Sequence, residues 1–535
     1  MVYTKKTPWT LILGIIMVAY AWAVQQGMMG EILEYLKTAK FIGKPGHWGE
    51  MVMIPYIAGG IAIVVGLWQL LAKPREGNLD YYLSTVGGAA FILVCVFIVK
   101  WFVEPIFKIW GAASKKAIGW DWATTLGVNY ILLGIILGMI VVNIIKVPAW
   151  AENGVRLSRV GLKTGVVLLG VLYSAAELRH LGGLSLTLIG IFVLGSVGMT
   201  LWMGRRNKIP NSMGGVLSAG MGVCGVSAAV ASAPVVQAKS TEIAYTIGTI
   251  LLWGVLMMFI FPPVGRALDM GYTQFGAWAG TGILNSAQVA AAALIYQPNG
   301  IETLKVAEIF NITRILFLPI IVIWLAVWYV QAEQTGAKVN IGKVAFAKFP
   351  LFVLGFIIMF ALSTTGVFAP PQHYSGKYFD NSDKVLVKKD AEGKVVSSKL
   401  LKDEQVALLT AEAGKLQRED QKKALAGLID NRKIMTPDDD TALRGVANAK
   451  ILSKEATTIL QNAHKAIYHT AKRVAWFRDL IIWFFAFGLT GLGMQITFAS
   501  IKQAGGQPLV IGTVVGATKA IGSLIVVVLF VKEII

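Results

Sequence analysis

The sequence predicts an all-α polytopic membrane protein, and three observations lead to this fold class. The 535 residues are 55% hydrophobic and have a mean hydropathy of +0.63. Only 15% of them are charged, whereas a soluble globular chain is near about one quarter charged. Apolar stretches of about 20 residues, long enough to cross a bilayer, recur along most of the chain. The short alternating segments of a transmembrane β-barrel are absent from the sequence.

Thirteen apolar stretches predict about thirteen transmembrane helices. Two of them, 213–237 and 276–296, are the least regular because glycine and polar residues interrupt both. In the bilayer core, an irregular backbone is tolerated only around a cavity that the protein protects. The thirteen predicted helices lie at about 9–24, 51–72, 84–103, 125–145, 159–178, 185–203, 213–237, 243–265, 276–296, 307–331, 349–369, 474–500 and 508–531.

The charge balance and the reactive residues exclude several function classes. Lys and Arg outnumber Asp and Glu by 49 to 30, a net charge of +19. No nucleic-acid motif accompanies this excess, which is typical of loops beside anionic lipid headgroups. The lipid bilayer is therefore an expected partner, and nucleic acid is not. With only Cys95 and Cys224, and five histidines without ligand spacing, we expect no disulfide framework, metal or cofactor. No nucleophile–base pair or phosphate loop indicates an enzyme.

Residues 371–473 break the hydrophobic pattern. This segment of 103 residues holds 33 of the 79 charged residues, and two of its stretches have helical apolar spacing. Between them, "MTPDDDT" predicts a turn and an acidic helix start. We therefore predict a soluble helical hairpin inserted between two membrane helices. It is either a solvated cap or a docking module for a protein partner. A slight excess of basic residues in the loops on the N-terminal side favours a cytoplasmic N-terminus, with the insertion outside.

Two distant segments resemble each other. "GVLYSAAELRHLGG" (170–183) aligns without gaps to "GMQITFASIKQAGG" (493–506), and each joins two predicted helices. Seven predicted helices separate the copies, so they would have opposite orientation in the membrane. Inverted repeats of this kind are the usual architecture of secondary transporters. Chance similarity between two glycine-rich turns is the alternative.

The first irregular stretch is "GVLSAGMGVCGVSAAVASAPVV" (214–236). Gly220, Gly222 and Gly225 are closely spaced in it, Ser227 follows, and Pro234 lies near its end. Glycine and proline favour a helix that breaks and restarts. The N-terminus of the second half-helix would then present free N–H groups, which suits an anion.

The second irregular stretch is "FGAWAGTGILNSAQVAAAALIY" (275–296), which has the same pattern of glycines followed by polar residues. Gly280 and Gly282 loosen the backbone, while Asn285, Ser286 and Gln288 offer hydrogen-bond donors and acceptors. Small residues also line ordinary helix–helix interfaces, so tight packing is the alternative for either stretch alone. Two such stretches together predict a polar binding site where two broken helices meet.

Two basic residues lie inside predicted membrane helices. Arg314 is about one turn inside its helix, and Lys519 is near the middle of the last helix. A charged side chain in the bilayer costs about 2.5–3.5 kcal/mol on insertion scales, so it usually has a partner or lines a wet cavity. For Arg314, snorkelling to the headgroups is the alternative. An arginine beside the irregular helices favours an anionic solute over a cation.

Several stretches resemble the YeiH-type conserved bacterial membrane proteins, a family to which sulfate export is ascribed. This family is similar to the cation–proton antiporters and bile-acid-type symporters, which implies two crossed, broken helices at mid-membrane. The resemblance covers about 126–369 and 474–535. The stretches that carry it are "LLGIILGMIVVN" (132–143), "VGLKTGVVLLGV" (160–171), "GVCGVSAAVASAPVV" (222–236), "FGAWAGTGILNSAQVAAAA" (275–293), "TRILFLPIIV" (313–322) and "GLGMQITFASIKQAGGQPLVIG" (491–512).

The resemblance implies a substrate site but also shows two departures. Where the family pattern implies His-Asp, this chain has Leu284-Asn285, and where it implies a lysine before the Thr-Arg pair, it has Asn311. An acid and a base of the family pattern are thus absent together, which puts proton coupling through this site in question. The candidate substrate-binding residues are Cys224, Gly225, Ser227, Gly282, Asn285, Ser286, Gln288, Thr313 and Arg314.

The resulting hypothesis is a secondary transporter or exporter of a small anion by alternating access. The anion would be a sulfate-like oxyanion or a related organosulfur or carboxylate anion, and the protein would be multi-pass in the bacterial cytoplasmic (inner) membrane. A channel-like anion uniporter and a membrane scaffold subunit are the alternatives, and a homodimer stays open. The predicted domains are extra N-terminal helices (1–122), a transporter core in two parts (123–370 and 474–535) and the soluble insertion (371–473).

Overall fold

The computed structural model describes residues 6–531 apart from 33, 35–44, 72–77, 127, 299, 334–350, 371–372, 375–376, 391, 393, 417, 449–450 and 504. Contacts divide the chain into two compact units. The first comprises Met1–Leu169, Leu178–Ile357 and Arg478–Ile535, and the second comprises Gly170–Glu177 and Ile358–Phe477.

A helix lies in each of the thirteen predicted stretches. Within the described residues, seven helices are long and apolar enough to cross a membrane, and shorter apolar helices accompany them. The chain is therefore an all-α multi-pass membrane protein, while the number of crossings stays a prediction. The helices before the soluble insertion are α1 (Trp9–Gln25), α2 (Pro45–Leu71), α3 (Asn78–Ile98), α4 (Glu104–Ile118), α5 (Trp122–Thr125), α6 (Tyr130–Ile140), α7 (Glu152–Leu169), α8 (Ala175–Arg206), α9 (Asn211–Gly222), α10 (Val226–Ser232), α11 (Ser240–Ala267), α12 (Tyr272–Gly282), α13 (Ser286–Tyr296), α14 (Glu302–Leu316), α15 (Leu318–Glu333) and α16 (Phe352–Thr364).

The predicted stretch 159–178 runs across a helix end. Helix α7 stops at Leu169, a single 3₁₀ turn covers Gly170–Leu172, and α8 begins at Ala175. The turn residues are as apolar and as buried as those of the helix before them. Hydropathy therefore could not reveal the turn.

The N-terminal helices pack onto the core through small residues. Gly88 of α3 lies against the backbone of Gly154 in α7, so that a side chain at either position would collide with the other helix. Beside this contact, Asn153 Nδ2 donates a hydrogen bond of 2.6 Å to Ser84 Oγ. Close backbone approach and interhelical hydrogen bonds are the usual means of helix association in a bilayer. The first three predicted helices are thus an integral part of the first unit.

The prediction of a helical hairpin for 371–473 is wrong in its details. The described part of this unit has four helices of ten or more residues, one short helix and two small antiparallel sheets. The sequence did not reveal the strands because each has only two to four residues, too few for a period-2 pattern. These elements are β1 (His373–Tyr374), β2 (Lys377–Phe379), α17 (Asp383–Leu386), β3 (Val387–Lys389), β4 (Val395–Ser398), α18 (Asp403–Glu412), α19 (Glu419–Asn431), α20 (Pro437–Asn448), α21 (Lys454–Ile467) and β5 (Tyr468–Thr470).

The insertion begins and ends side by side. Strand β2 pairs with β5 so that Lys377 lies opposite Thr470, which brings the two ends of the inserted segment together. The helices between them share a continuous apolar core that includes Leu409, Leu428 and Leu460. The segment therefore has the core of an independently packed domain. The chain then continues through α22 (Lys472–Gly493), α23 (Phe498–Lys502) and α24 (Gly506–Phe530).

One buried carboxylate joins two helices of the second unit. As predicted, the acidic segment "PDDD" starts a helix, and its last member, Asp440, is fully buried. The Asp440 carboxylate lies 2.8 Å from Nδ1 of His464 on α21 and 3.2 Å from Nε of Arg444 on its own helix. A buried carboxylate needs such partners, because burial without them removes its hydration.

We expect Asp440→Ala to destabilise the second unit by about 1–3 kcal/mol, because it removes the hydrogen-bond partner of His464 and the ion-pair partner of Arg444. Thermal unfolding of the full chain in detergent measures the change. Asp438→Ala is the matched control: this carboxylate lies in the same first turn but is exposed. Equal losses in both variants would show that only the charge of the helix start matters.

Candidate functional site

The first predicted interruption is a break between two half-helices. Helix α9 ends at Gly222, residues 223–225 are not helical, and α10 starts at Val226. Gly225 has φ +74°, which side chains rarely adopt. A Cβ at this position would also lie 3.1 Å from the Cα and Cβ of Asn285. Both the backbone conformation and the close approach therefore require glycine here.

The second predicted interruption is also a break. Helix α12 ends at Gly282, Ile283 and Asn285 are extended, and α13 starts at Ser286. The Asn285 Oδ1 atom accepts a hydrogen bond of 3.2 Å from Ala287 N and so caps the second half-helix. Because Asn285 also contacts Gly225, the two breaks meet. The prediction of two broken helices is confirmed.

A buried cation satisfies the carbonyl end of each first half-helix. Lys519 Nζ donates to the carbonyl oxygens of Met221 (3.0 Å) and Gly222 (3.1 Å), the last residues of α9. Arg314 Nη1 donates to the carbonyl of Ile283, directly after α12. The last carbonyls of a helix have no partner within it and carry a partial negative charge. Each break thus has one positively charged side chain at the same relative place.

Both cations are enclosed by protein. Arg314 is 0% exposed and Lys519 is 2% exposed. A snorkelling arginine would extend to the surface, so the alternative raised for Arg314 does not describe this side chain. Arg314 also interacts electrostatically with Lys519, Cys224 and Glu308. The cations of the two breaks therefore belong to one site.

A row of polar side chains follows one side of α14. Lys305, Glu308, Asn311 and Arg314 are spaced three residues apart and each is at most 3% exposed. Asn311 Nδ2 donates to Glu308 Oε2 at 2.9 Å, and Asn311 Oδ1 accepts from Arg314 Nη2 at 2.9 Å. The acid and the base that the family pattern implies at 284–285 and 311 are therefore absent from those positions, but a different acid, Glu308, lies beside Asn311 on α14.

The sequence contained the signal for this row. Residues 305–314 read "KVAEIFNITR", a polar residue at every third position. The signal was missed because the predicted membrane helix began at 307, which left Lys305 outside it and Glu308 at its edge. In the structure the helix begins at Glu302, so Glu308 lies in its middle.

Several buried polar atoms near the second break have no hydrogen-bond partner among the described residues. They are Thr281 Oγ1, Ser286 Oγ, both amide atoms of Gln288 and Nε of Arg314. The Gln288 amide lies against Gly254 of α11, a position where any side chain would displace it. An unpartnered buried polar group costs about 1–3 kcal/mol, so these groups suit a polar solute that supplies partners.

The remaining predicted site residues are placed differently. Thr313 faces away from the breaks, because its hydroxyl is 3.1 Å from Ser185 Oγ and donates to Ile309 O. Ser227 lies on an exposed face of α10. Cys224 is buried within the first break, and Gly282 ends α12 beside Phe261. The structure thus brings together Cys224, Gly225, Gly282, Asn285 and Arg314, and adds Glu308, Asn311 and Lys519.

These features define a helical multi-pass membrane protein whose two broken helices meet at a buried charged site. Residues 92–381, more than half of the chain, match the family described as conserved hypothetical protein 698. The chain belongs to this family, and the family resemblance inferred from the sequence is confirmed. The match begins before residue 122, so it includes part of the N-terminal region predicted to lie outside the resemblance.

Relatives of the chain are described only as membrane proteins. A UPF0324 membrane protein from Nitratidesulfovibrio vulgaris is 33% identical over 464 residues, which is 86% of this chain and 98% of the relative. A second UPF0324 membrane protein from the same organism is 39% identical over 318 residues, covering 58% and 85%. A third, from Rhodopirellula baltica, is 28% identical over 346 residues, covering 62% and 59%. No solved structure matches the chain.

We expect Gly225→Ala to lower the thermal stability of the full chain in detergent by about 1–3 kcal/mol, because it strains the backbone and crowds Asn285. Gly195→Ala is the control, since a Cβ there meets nothing within 4 Å in the middle of α8. That variant should be neutral or stabilise the protein by up to about 1 kcal/mol. A Gly225→Ala protein as stable as wild type would contradict the described contact between the breaks.

Proposed function

We propose that this protein is a secondary transporter of a small oxyanion that works by alternating access in the bacterial cytoplasmic membrane. The observation that carries the proposal is the meeting of the two helix breaks beside two buried cations. The site assigned to the anion lies between Arg314, Lys519 and the start of α13.

The charges favour an anion over a cation. Arg314 and Lys519 repel each other, and among the described residues Glu308 is the acid hydrogen-bonded into this group. Two like charges in a medium of low dielectric constant destabilise each other, and an anion between them relieves that repulsion. The N-terminus of α13 adds a partial positive charge from its free N–H groups.

The available donors favour an oxyanion. Arg314 Nε, the Gln288 amide and the Ser286 hydroxyl are buried without partners among the described residues. A tetrahedral or pyramidal anion such as sulfate or sulfite presents several acceptor oxygens in different directions, which suits donors on different helices. The proposal of a sulfate-like substrate rests on this match between donors and oxyanion and on the family resemblance.

The breaks also supply the hinges that alternating access needs. Residues 223–225 and 283–285 are short non-helical segments, and hinges are usually a few residues that absorb changes in φ and ψ. The predicted inverted repeat stays part of this proposal. Its alignment pairs 170–183 with 493–506, an offset far larger than the separation of the two breaks. The repeat therefore does not map one break onto the other.

Uptake of radiolabelled sulfate and sulfite into proteoliposomes tests the proposal. We expect saturable uptake in wild type and at least about a tenfold loss in Arg314→Gln and Lys519→Gln, since removing one partner of a buried charged contact costs about 1.4 kcal/mol or more. Arg266→Gln is the matched control. Arg266 also donates to helix carbonyls, those of Ile295 and Tyr296, but at the far end of α13.

The outcomes separate the alternatives. Unchanged uptake in both site variants would contradict the assigned site. Single-channel currents, or flux far above about 10³ per second, would favour a uniporter over a transporter. The channel alternative rests on the acid–base pair that is missing at 284–285 and 311, whereas the buried acid Glu308 beside Asn311 favours a transporter. No uptake of either anion by folded wild-type protein would contradict the proposed function.

A further inference from the structure

Asn311 connects a buried acid to a buried base through one amide group. Its Nδ2 donates to Glu308 and its Oδ1 accepts from Arg314, both at 2.9 Å. A carboxylate can only accept and a guanidinium can only donate. While Glu308 is ionised, the charges at both ends therefore hold the amide in this one orientation.

Protonation of Glu308 removes this restriction. A neutral carboxyl group can donate its proton as well as accept, so it can hydrogen bond to either end of the amide. If the amide turns over, Oδ1 accepts from Glu308 and Nδ2 faces Arg314. Two donors then face each other, so the Nη2 group of Arg314 loses its acceptor and is available for another one.

We propose that Glu308, Asn311 and Arg314 form a proton-coupling relay, in which protonation of Glu308 turns the Asn311 amide and releases Arg314 to bind the anion. This inference rests on the proposed function and names the coupled ion. One proton enters Glu308 from water on the side where the anion binds. It leaves to water on the side where the anion is released, so anion and proton move in the same direction.

Among the described residues, the charged group that acts on Glu308 is Arg314. On its own helix, Arg314 interacts with it electrostatically and Lys305 lies one turn away. The helices that pack most closely on α14 are α12 and α13, whose titratable residues are Tyr272 and Tyr296 at the helix ends. Lys519 reaches this group through Arg314. Besides its burial and its hydrogen bond to Asn311, Glu308 is therefore influenced by the charge of Arg314, and so by any anion that this arginine binds.

The relay fixes the charge moved in each cycle. One sulfate dianion with one proton carries one net negative charge, whereas sulfate alone carries two. At equilibrium, a one-unit pH gradient therefore shifts the reversal voltage by about 59 mV in a coupled transporter and not at all in an uncoupled one. A tenfold sulfate gradient shifts it by about 59 mV in the first case and about 30 mV in the second.

The experiment measures reversal voltage and proton uptake in proteoliposomes containing the full chain, with sulfate as the probe. We expect one proton per sulfate in wild type. Glu308→Gln, which carries an amide donor like the protonated acid, should still transport sulfate but with no proton and with two charges. Asn311→Leu should lower the ratio below one proton per sulfate. Glu104→Gln, a buried carboxylate paired with Lys108 outside the site, should keep the wild-type ratio.

Three results would overturn the relay: one proton per sulfate in Glu308→Gln, a folded Glu308→Gln protein without any flux, or wild-type flux without protons. The last result leaves the proposed function intact.

A second measurement separates the two proposals, namely proton uptake by detergent-solubilised wild type when sulfate is added in weak buffer. Uptake that Glu308→Gln abolishes, without flux in liposomes, supports the relay and contradicts transport. No uptake and no flux overturn both.

Discussion

The structure of the first unit depends on satisfying backbone carbonyls where a helix stops inside the membrane. Lipid supplies no hydrogen-bond donors, so each broken helix needs donors from the protein itself. Lys519 supplies them for α9, and Arg314 supplies one for the segment after α12. These bonds join parts of the sequence far apart, which locks the last helix and α14 onto the breaks. A solute site can then form between helices that are held in place by charge.

The same two cations have a structural and a chemical role. As caps, they neutralise the partial negative charge at helix C-termini. Because both are buried close enough to interact as like charges, they give the site an excess of positive charge. Glu308 offsets part of this excess through Asn311. The fold thus keeps Arg314, Lys519 and Glu308 buried in one group with an excess of positive charge.

Much of this arrangement could be predicted from the sequence, because local composition determines it. Clustered glycines with nearby proline or polar residues predicted both breaks, and Arg314 and Lys519 were recognisable as costly charges in apolar stretches. Their partners could not be predicted, since Lys519 contacts carbonyls nearly 300 residues away in the chain. Glu308 was missed for a different reason. Hydropathy defines the apolar middle of a helix, whereas this helix starts with a polar, protein-buried turn.

In the second unit, sequence patterns revealed the helices but not the strand pairing. Its helices were detectable by their apolar spacing, and the acidic start at Asp438 and Asp440 was correctly placed. The pairing of β2 with β5 was not, because three-residue strands have no period and their partners lie about 90 residues apart. This pairing brings the two ends of the insertion together, a consequence of tertiary contacts that local composition does not record.

The contact between Gly225 and Asn285 reduces the number of independent motions in the membrane unit. Asn285 caps one half-helix, and its Cα and Cβ lie so close to Gly225, which starts the other, that an added Cβ there would be only 3.1 Å away. A shift of α10 toward Asn285 therefore disturbs the hydrogen bond that holds the start of α13. The packing thus couples the positions of the two half-helices to each other.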